Sequence, residues 1–166
     1  IATHLAETVD RNSLTERIKI ERLAVGEKSG DVVLNFFDGD DGSNEGMNFV
    51  TSSPQDERSI PVSMTSLDEY CSREGIEVVD LMKLDIQGNE PAALRGAGQL
   101  LKTGRIRAIF LELNWAPNAG ARCPASEVVA LLDEAGYRFR APCGRVARPP
   151  GEWMRSESDV IAMPSD

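Results

Sequence analysis

Apolar and polar positions follow two periods along this chain, and the switches between them outline its elements. Ile1, Leu5, Thr8 and Val9 share one face at helical spacing. Residues 1–12 therefore read as a helix that Asn12 closes in a left-handed conformation. Residues 18–25 (IKIERLAV) read as a strand, and residues 31–37 as another with Val32, Leu34 and Phe36 on one side. The stretch Glu27-Lys28-Ser29-Gly30 suits the turn between them. Residues 38–55 are polar, with three glycines and an acidic cluster, and a loop of that length is often a lid or a binding loop.

Residues 58–64 predict a short strand. Thr65 then offers an N-cap with Asp68 three residues on; Leu67, Tyr70 and Cys71 form a helical stripe that Gly75 ends. Residues 78–86 (VVDLMKLDI) are almost continuously apolar, as in a strand covered on both faces. They run through Gln87-Gly88-Asn89 into a helix starting at Glu90, with Asn89 as cap, Pro91 in the first turn, and Leu94, Ala97 and Leu101 facing inward. Residues 106–113 (IRAIFLEL) form a second buried strand. Val128, Leu131, Leu132 and Ala135 make the apolar face of a helix stopped by Gly136. Residues 137–141 and 159–163 read as strands on either side of a loop, 142–151, that holds proline and glycine.

Strand, helix, strand, helix, strand is the pattern of an α/β domain with a mostly parallel sheet. Parallel crossovers are right-handed, and ligands bind beyond the carboxyl ends of the strands. That rule points to residues 85–90 and 112–115, the ends of the two most apolar strands.

Composition changes this picture little. The 166 residues fit one domain, 1–166, long enough to bury about 70% of its unfolded surface without a disulfide or metal staple. At 41% hydrophobic and 27% charged the chain is globular, and no apolar run approaches the roughly 18 residues of a membrane span. A net charge of −9 repels phosphate backbones and argues against nucleic-acid partners. Cys71, Cys123 and Cys143 are odd in number and form no CxxC pair, so they read as reduced thiols of a cytoplasmic protein. No basic segment followed by an apolar one opens the chain, and it begins at Ile1 rather than methionine, which predicts a fragment of a longer polypeptide.

The run Lys83-Leu84-Asp85-Ile86-Gln87-Gly88-Asn89-Glu90, followed by Leu94-Arg95-Gly96-Ala97, resembles the FkbM-type methyltransferases, whose signature there is K-hydrophobic-D-hydrophobic-E-G-x-E and then L-x-G-A. Ser66-Leu67-Asp68-Glu69-Tyr70 resembles that family's S-L-D-x-Y helix start, and Phe110-Leu111-Glu112-Leu113 its strand ending in glutamate. Glu134-Ala135-Gly136-Tyr137 is similar to its helix-to-strand junction, and residues 24–30 (AVGEKSG) to the segment after its third strand. Order and spacing carry the resemblance through most of the chain. Gln87 departs from the family's glutamate, and the glycine-rich first turn and the acidic end of the second strand are absent.

The resemblance implies a Rossmann-like class I methyltransferase sheet of order 3-2-1-4-5-7-6, here lacking its first strand-helix-strand. About 50 or more residues are expected upstream, the scale of one to two βα units. Without them an apolar strand edge is left bare. The expectation is therefore a longer polypeptide or pairing with a second copy of the chain.

The implied chemistry is methyl transfer from S-adenosylmethionine to the hydroxyl of a small molecule, a sugar or polyketide-like compound. Such a reaction needs alignment of the reacting atoms and a proton acceptor. Asp85, at the end of the central strand, is expected to orient the acceptor hydroxyl or take its proton, and its carboxylate also favours a cationic cofactor; the alternative is an Asp that caps the next turn. Glu90 reaches the same mouth but also sits in a helical first turn, where carboxylates are favourable for dipole reasons alone. Glu112 ends the adjacent strand and faces one pocket with Asp85, or else bonds a loop backbone; paired carboxylates in a cleft separate in pKa. Divalent metal binding by these carboxylates is a weaker form of the same idea, and no metal is assigned. Arg22, Leu23 and Ala24 are where the resemblance places adenine contacts, with plain strand packing as the alternative. Lys83, inside an apolar strand, is expected in an ion pair with Asp80 or a carboxylate on a neighbouring strand. The acidic loop fails the EF-hand template, since position six from Asp38 is Ser43 and position twelve is Phe49, so it reads as a solvated lid. His4, the sole histidine, is expected to be half-buried and structural. The competing reading is a non-catalytic methyltransferase-like module for interaction or assembly, to which Gln87 and the missing glycine loop would belong.

Overall fold

The computed structural model describes residues 2–35, 49–54, 57–86, 88–113, 125–141 and 159–165. Most of the acidic stretch, Gln87, Asn114, Trp115, Cys123, Cys143 and the 142–151 loop lie outside the described residues.

Helix α1 (Ala2–Arg11) buries Val9 alone. Its left-handed closing residue is Ser13 (φ 55°), not Asn12. Leu14 N–H then reaches back to the Val9 carbonyl at 3.0 Å. His4 is exposed, at 85% of its side chain, contrary to the half-buried place expected of it, because the buried stripe of α1 narrows to Val9.

The strand expected over 18–25 shrinks to β1 (Ala24–Val25), the only part that meets another strand. Side chains moor the preceding residues instead. Lys19 bonds Glu74 at 2.5 Å and Glu21 at 2.8 Å, and the Tyr70 hydroxyl donates to Glu21 at 3.3 Å. β2 (Gly30–Asn35), β3 (Phe49–Thr51) and β4 (Ile60–Thr65) complete a sheet of order β1-β4-β2-β3. β3 falls in a stretch whose polar sequence predicts a loop. Asn35 accounts for it: buried to 1%, it donates to the Thr51 hydroxyl at 2.6 Å and accepts from the Ser59 hydroxyl at 2.7 Å. Those bonds satisfy a buried amide and hold β3 against β2.

Helix α2 (Leu67–Glu74) is capped by Ser66, which accepts the Glu69 N–H at 3.2 Å, because Thr65 is still the last residue of β4. Gly75 (φ 68°) ends it as expected. Asp68 has a different partner from the one its spacing predicts. It accepts the Gln99 and Leu100 N–H groups at 2.8 and 3.0 Å, capping the start of α4 (Gly98–Lys102) from a neighbouring helix.

The second sheet contains β5 (Met82–Leu84), β6 (Ile109–Glu112), β7 (Tyr137–Arg140) and β8 (Asp159–Pro164) in the order β5-β6-β8-β7. β5 and β6 are parallel, and β8 runs antiparallel to β6 and β7. This order is the 4-5-7-6 run of the sheet implied by the resemblance. The sheets as a whole are mixed rather than mostly parallel. Of the six pairings among the described strands only β1 with β4 and β5 with β6 are parallel, because β2, antiparallel to both β3 and β4, and the returning β8 supply the rest.

Helices α3 (Glu90–Arg95), α4 and α5 (Ala125–Glu134) cover one face of that sheet. Leu94, Leu100 and Leu132 pack there with Leu84, Leu111 and Val160 in one core. Buried Tyr137 donates its hydroxyl to the Ile106 carbonyl at 2.7 Å. The other face of β5 is open: Lys83 is exposed, as are Val78 at 41% and Leu81 at 65% in the residues before it. Among the described residues the continuous apolar run thus does not bring burial on both faces.

The single helix expected from Glu90 breaks into α3 and α4 at Gly96-Ala97, although Leu94, Ala97 and Leu101 are all buried as their spacing predicts. The backbone leaves helical geometry at Ala97 (φ −107°, ψ 18°), and Gly96 before it sits against another backbone. A Cβ there would overlap the carbonyl of Gly26, just past β1. Replacement of Gly96 by Ala should therefore destabilise the chain by about 1–3 kcal/mol, the usual range for overpacking. Gly98→Ala, where nothing lies within 4 Å, should be neutral or gain about 0.5 kcal/mol. Urea unfolding midpoints of the two variants check the contrast.

Candidate active site

The ends of β5 and β6 lie side by side. Their parallel register pairs Lys83 with Phe110 and Leu84 with Leu111, so Asp85 and Glu112 follow at the same end of the sheet. Both carboxylates are exposed. Side chains alternate along strands, so Lys83 and Asp85 share the open face while Leu84 enters the core.

Lys83 bonds Asp85 at 2.9 Å. The expected ion pair is therefore made, but with the residue two positions on. Asp80 instead pairs with Arg107. The pairing follows from period two: on a strand with one open face, i and i+2 are the nearest side chains. The hydrogen bond to Asp85 and its charge raise the Lys83 pKa, with the charges of Glu112 and Asp159 adding to the effect.

Asp159 is the residue that sequence reasoning missed. It opens β8, and the antiparallel register sets it directly across from Glu112. Like charges opposite one another on a sheet are unfavourable, and the Lys83 ammonium is the nearby cation that offsets them. The signal was present in the strand order: a returning antiparallel strand begins at the end where parallel strands finish.

Glu90 faces the backbone. Its carboxylate accepts the Ile86 N–H at 3.1 Å and the Gly88 N–H at 2.8 Å, closing the turn after β5. Asn89 makes no side-chain cap on α3. Its amide instead donates to the Val25 carbonyl at 2.6 Å, tying this turn to the end of β1.

A cavity of about 310 Å3 opens beside that tie. It is lined by Gly26, Glu27 and Lys28 after β1, by Val32, Val50, Thr51 and Met64 of the first sheet, and by Asn89 and Ala92. Arg22, Leu23 and Ala24 stop short of it: Arg22 is exposed, and Leu23 and Ala24 are half-buried. The cavity wall starts two residues later, at Gly26. Arg95 bonds Glu27 at 3.0 Å and Glu127 at 2.7 Å, bracing the turn after β1 against α5.

Among the described residues no group of three or more His, Cys, Asp or Glu side chains could hold a metal ion. No described helix is long and apolar enough to cross a membrane.

The strand-end carboxylates, the glutamate-locked turn and the adjoining cavity lie in one α/β domain. The methyltransferase FkbM domain model matches residues 5–139, and the chain belongs to that family. Comparisons with curated proteins and with solved structures found no match.

Two outcomes test this geometry. Asp85→Asn should bring the Lys83 titration back down toward the ordinary 10.5, read from its side-chain carbon signals by NMR. The sign is that of a lysine raised in the folded state: the pair's contribution is complete below pH 10.5 and is lost as pH rises through the higher folded value. Glu90→Ala leaves the Ile86 and Gly88 N–H groups without their carboxylate and should lower stability by about 1–3 kcal/mol in urea melts.

Proposed function

We propose that the chain carries the catalytic strand tips of an S-adenosylmethionine-dependent O-methyltransferase that acts, in the cytoplasm, on the hydroxyl of a small molecule. The observation that carries the reading is the placement of Asp85 and Glu112 on adjacent parallel strand ends, exposed and on one face. Membership of the methyltransferase family supports the reaction class.

The residues present suit such a donor. Its reacting sulfur is cationic, and among the described residues the carboxylates of Asp85, Glu112 and Asp159 gather at one sheet end around Lys83. When bound, S-adenosylmethionine would supply a methyl group on a cationic sulfur, with adenosylhomocysteine as the leaving group.

The chain's own groups do the rest. Asp85 accepts a hydrogen bond from the acceptor hydroxyl and takes its proton at or after transfer, releasing it to solvent. Glu112 holds the hydroxyl from the neighbouring strand, which restricts the angle of attack. Lys83 fixes the Asp85 side chain on the open face. Glu90 keeps the turn after β5 rigid, so that Asp85 is presented in one position.

Calorimetric titration of adenosylhomocysteine into the full-length polypeptide that contains these residues should give saturable binding, and a folded protein that gives no heat would overturn the reading. Asp85→Asn should leave that binding within about twofold and lower turnover by roughly 10²–10⁴-fold, the span of general-base contributions. An unchanged rate would remove Asp85 from the mechanism.

A further inference from the structure

The turn that carries Asp85 is held in two ways. Glu90 sets its shape from within, since its carboxylate and the two N–H groups it accepts all belong to residues 86–90. Asn89 ties it outward. The half-buried Asn89 carboxamide donates to the Val25 carbonyl at 2.6 Å, across 64 residues of sequence.

An asparagine at the head of a helix ordinarily accepts an N–H of the first turn. Asn89 makes no such bond, although it heads α3 and its own carbonyl accepts the Ala93 N–H at 3.0 Å. Its backbone, at φ −98° and ψ 7°, lies in the sparsely populated bridge region. A bond that would steady α3 locally is thus given up for one to the first sheet. Gly96, past the far end of α3, meets the Gly26 carbonyl, and Arg95 meets Glu27. Residues 25–27 therefore hold α3 at both ends. The segment after β1 and the turn after β5 also share the cavity wall, through Gly26, Glu27 and Lys28 on one part and Asn89 and Ala92 on the other.

We infer that Asn89 is a positioning residue of the methyl-transfer site: by holding the turn of residues 85–90 to the end of β1, it sets where the Asp85 carboxylate stands. This rests on the methyltransferase reading above and adds to it a residue that acts through Asp85. The turn is strung between two anchors. Lys83 grips Asp85 at the strand end, and Asn89 grips Val25 near the other. Bonds within the turn fix its shape; the outward bond fixes its place. Place matters because transfer needs the reacting atoms aligned, and a misplacement of about 1 Å costs roughly 10²-fold in rate.

The test is Asn89→Ser in the full-length polypeptide. Serine caps a helix as well as asparagine does, but its side chain is one atom shorter and falls short of Val25, so the tie is lost while α3 is kept. The urea midpoint should stay at the wild-type value, and adenosylhomocysteine should bind within about twofold by calorimetry. Turnover, read as adenosylhomocysteine formed from S-adenosylmethionine, should fall by about 10–10²-fold. In the Asp85→Asn background the same substitution should cost no more than about twofold, because nothing is left for Asn89 to position. A further readout needs no acceptor. The ladder with β6 fixes Lys83, so a displaced Asp85 should let the Lys83 side-chain carbon signals titrate nearer to the ordinary 10.5. Asn89→Asp keeps the shape and the cap but cannot donate as a carboxylate; it serves for the turnover comparison if the serine variant does not fold. A folded variant with wild-type turnover and a wild-type Lys83 titration would overturn the inference and leave the methyltransferase reading standing. Equal losses in the two backgrounds would do the same, since Asn89 would then not act through Asp85. A full-length protein that binds no adenosylhomocysteine overturns the reading itself, and the inference falls with it.

Discussion

Among the described residues the two sheets share no ladder hydrogen bonds, and what joins them is the close approach of two backbones. Gly96 lies so near the Gly26 carbonyl that no side chain fits between them. Around that contact Asn89 reaches Val25, Arg95 reaches Glu27, and the Asp68 N–H donates to the Gly96 carbonyl at 2.9 Å. Each bond joins the end of β1 or the start of α2 to the segment that follows β5. The cavity and the strand tips flank this seam, so their relative placement is set by contacts between backbones, which are the least adjustable kind.

Charge is distributed with the same economy. Three carboxylates meet at one end of the second sheet because two parallel strands finish there and an antiparallel one begins. Such a convergence is unfavourable on its own, and Lys83 makes it tolerable without removing the excess negative charge. Among the described residues that strand end is net acidic. The cavity nearby is mainly apolar in its wall.

Much of this was legible in the sequence. Periodicity placed α2, α5, β4, β7 and β8 within a residue or two, and the apolar runs located β5 and β6. The K-x-D and F-L-E segments led to Asp85 and Glu112 before any geometry was known. What the sequence hid were interactions between distant residues. Asp68 looked like half of a capping box on its own helix and proved to cap α4. Asn89 looked like a cap and proved to be a tie to β1. Residues 18–23 had a strand's composition but gained no partner strand, so local propensity had nothing to pair with. Asp159 carried no motif at all; only the register of β8 against β6 gives it meaning.

The neighbours of each strand also set how its backbone meets solvent. β6 lies between β5 and β8, so both rows of its peptide groups are bonded and its side chains are buried at Ile109 and Leu111. β5 has β6 on one side only among the described strands. In heavy water the amides of β6, bonded on both sides, will keep their protons until the core itself opens.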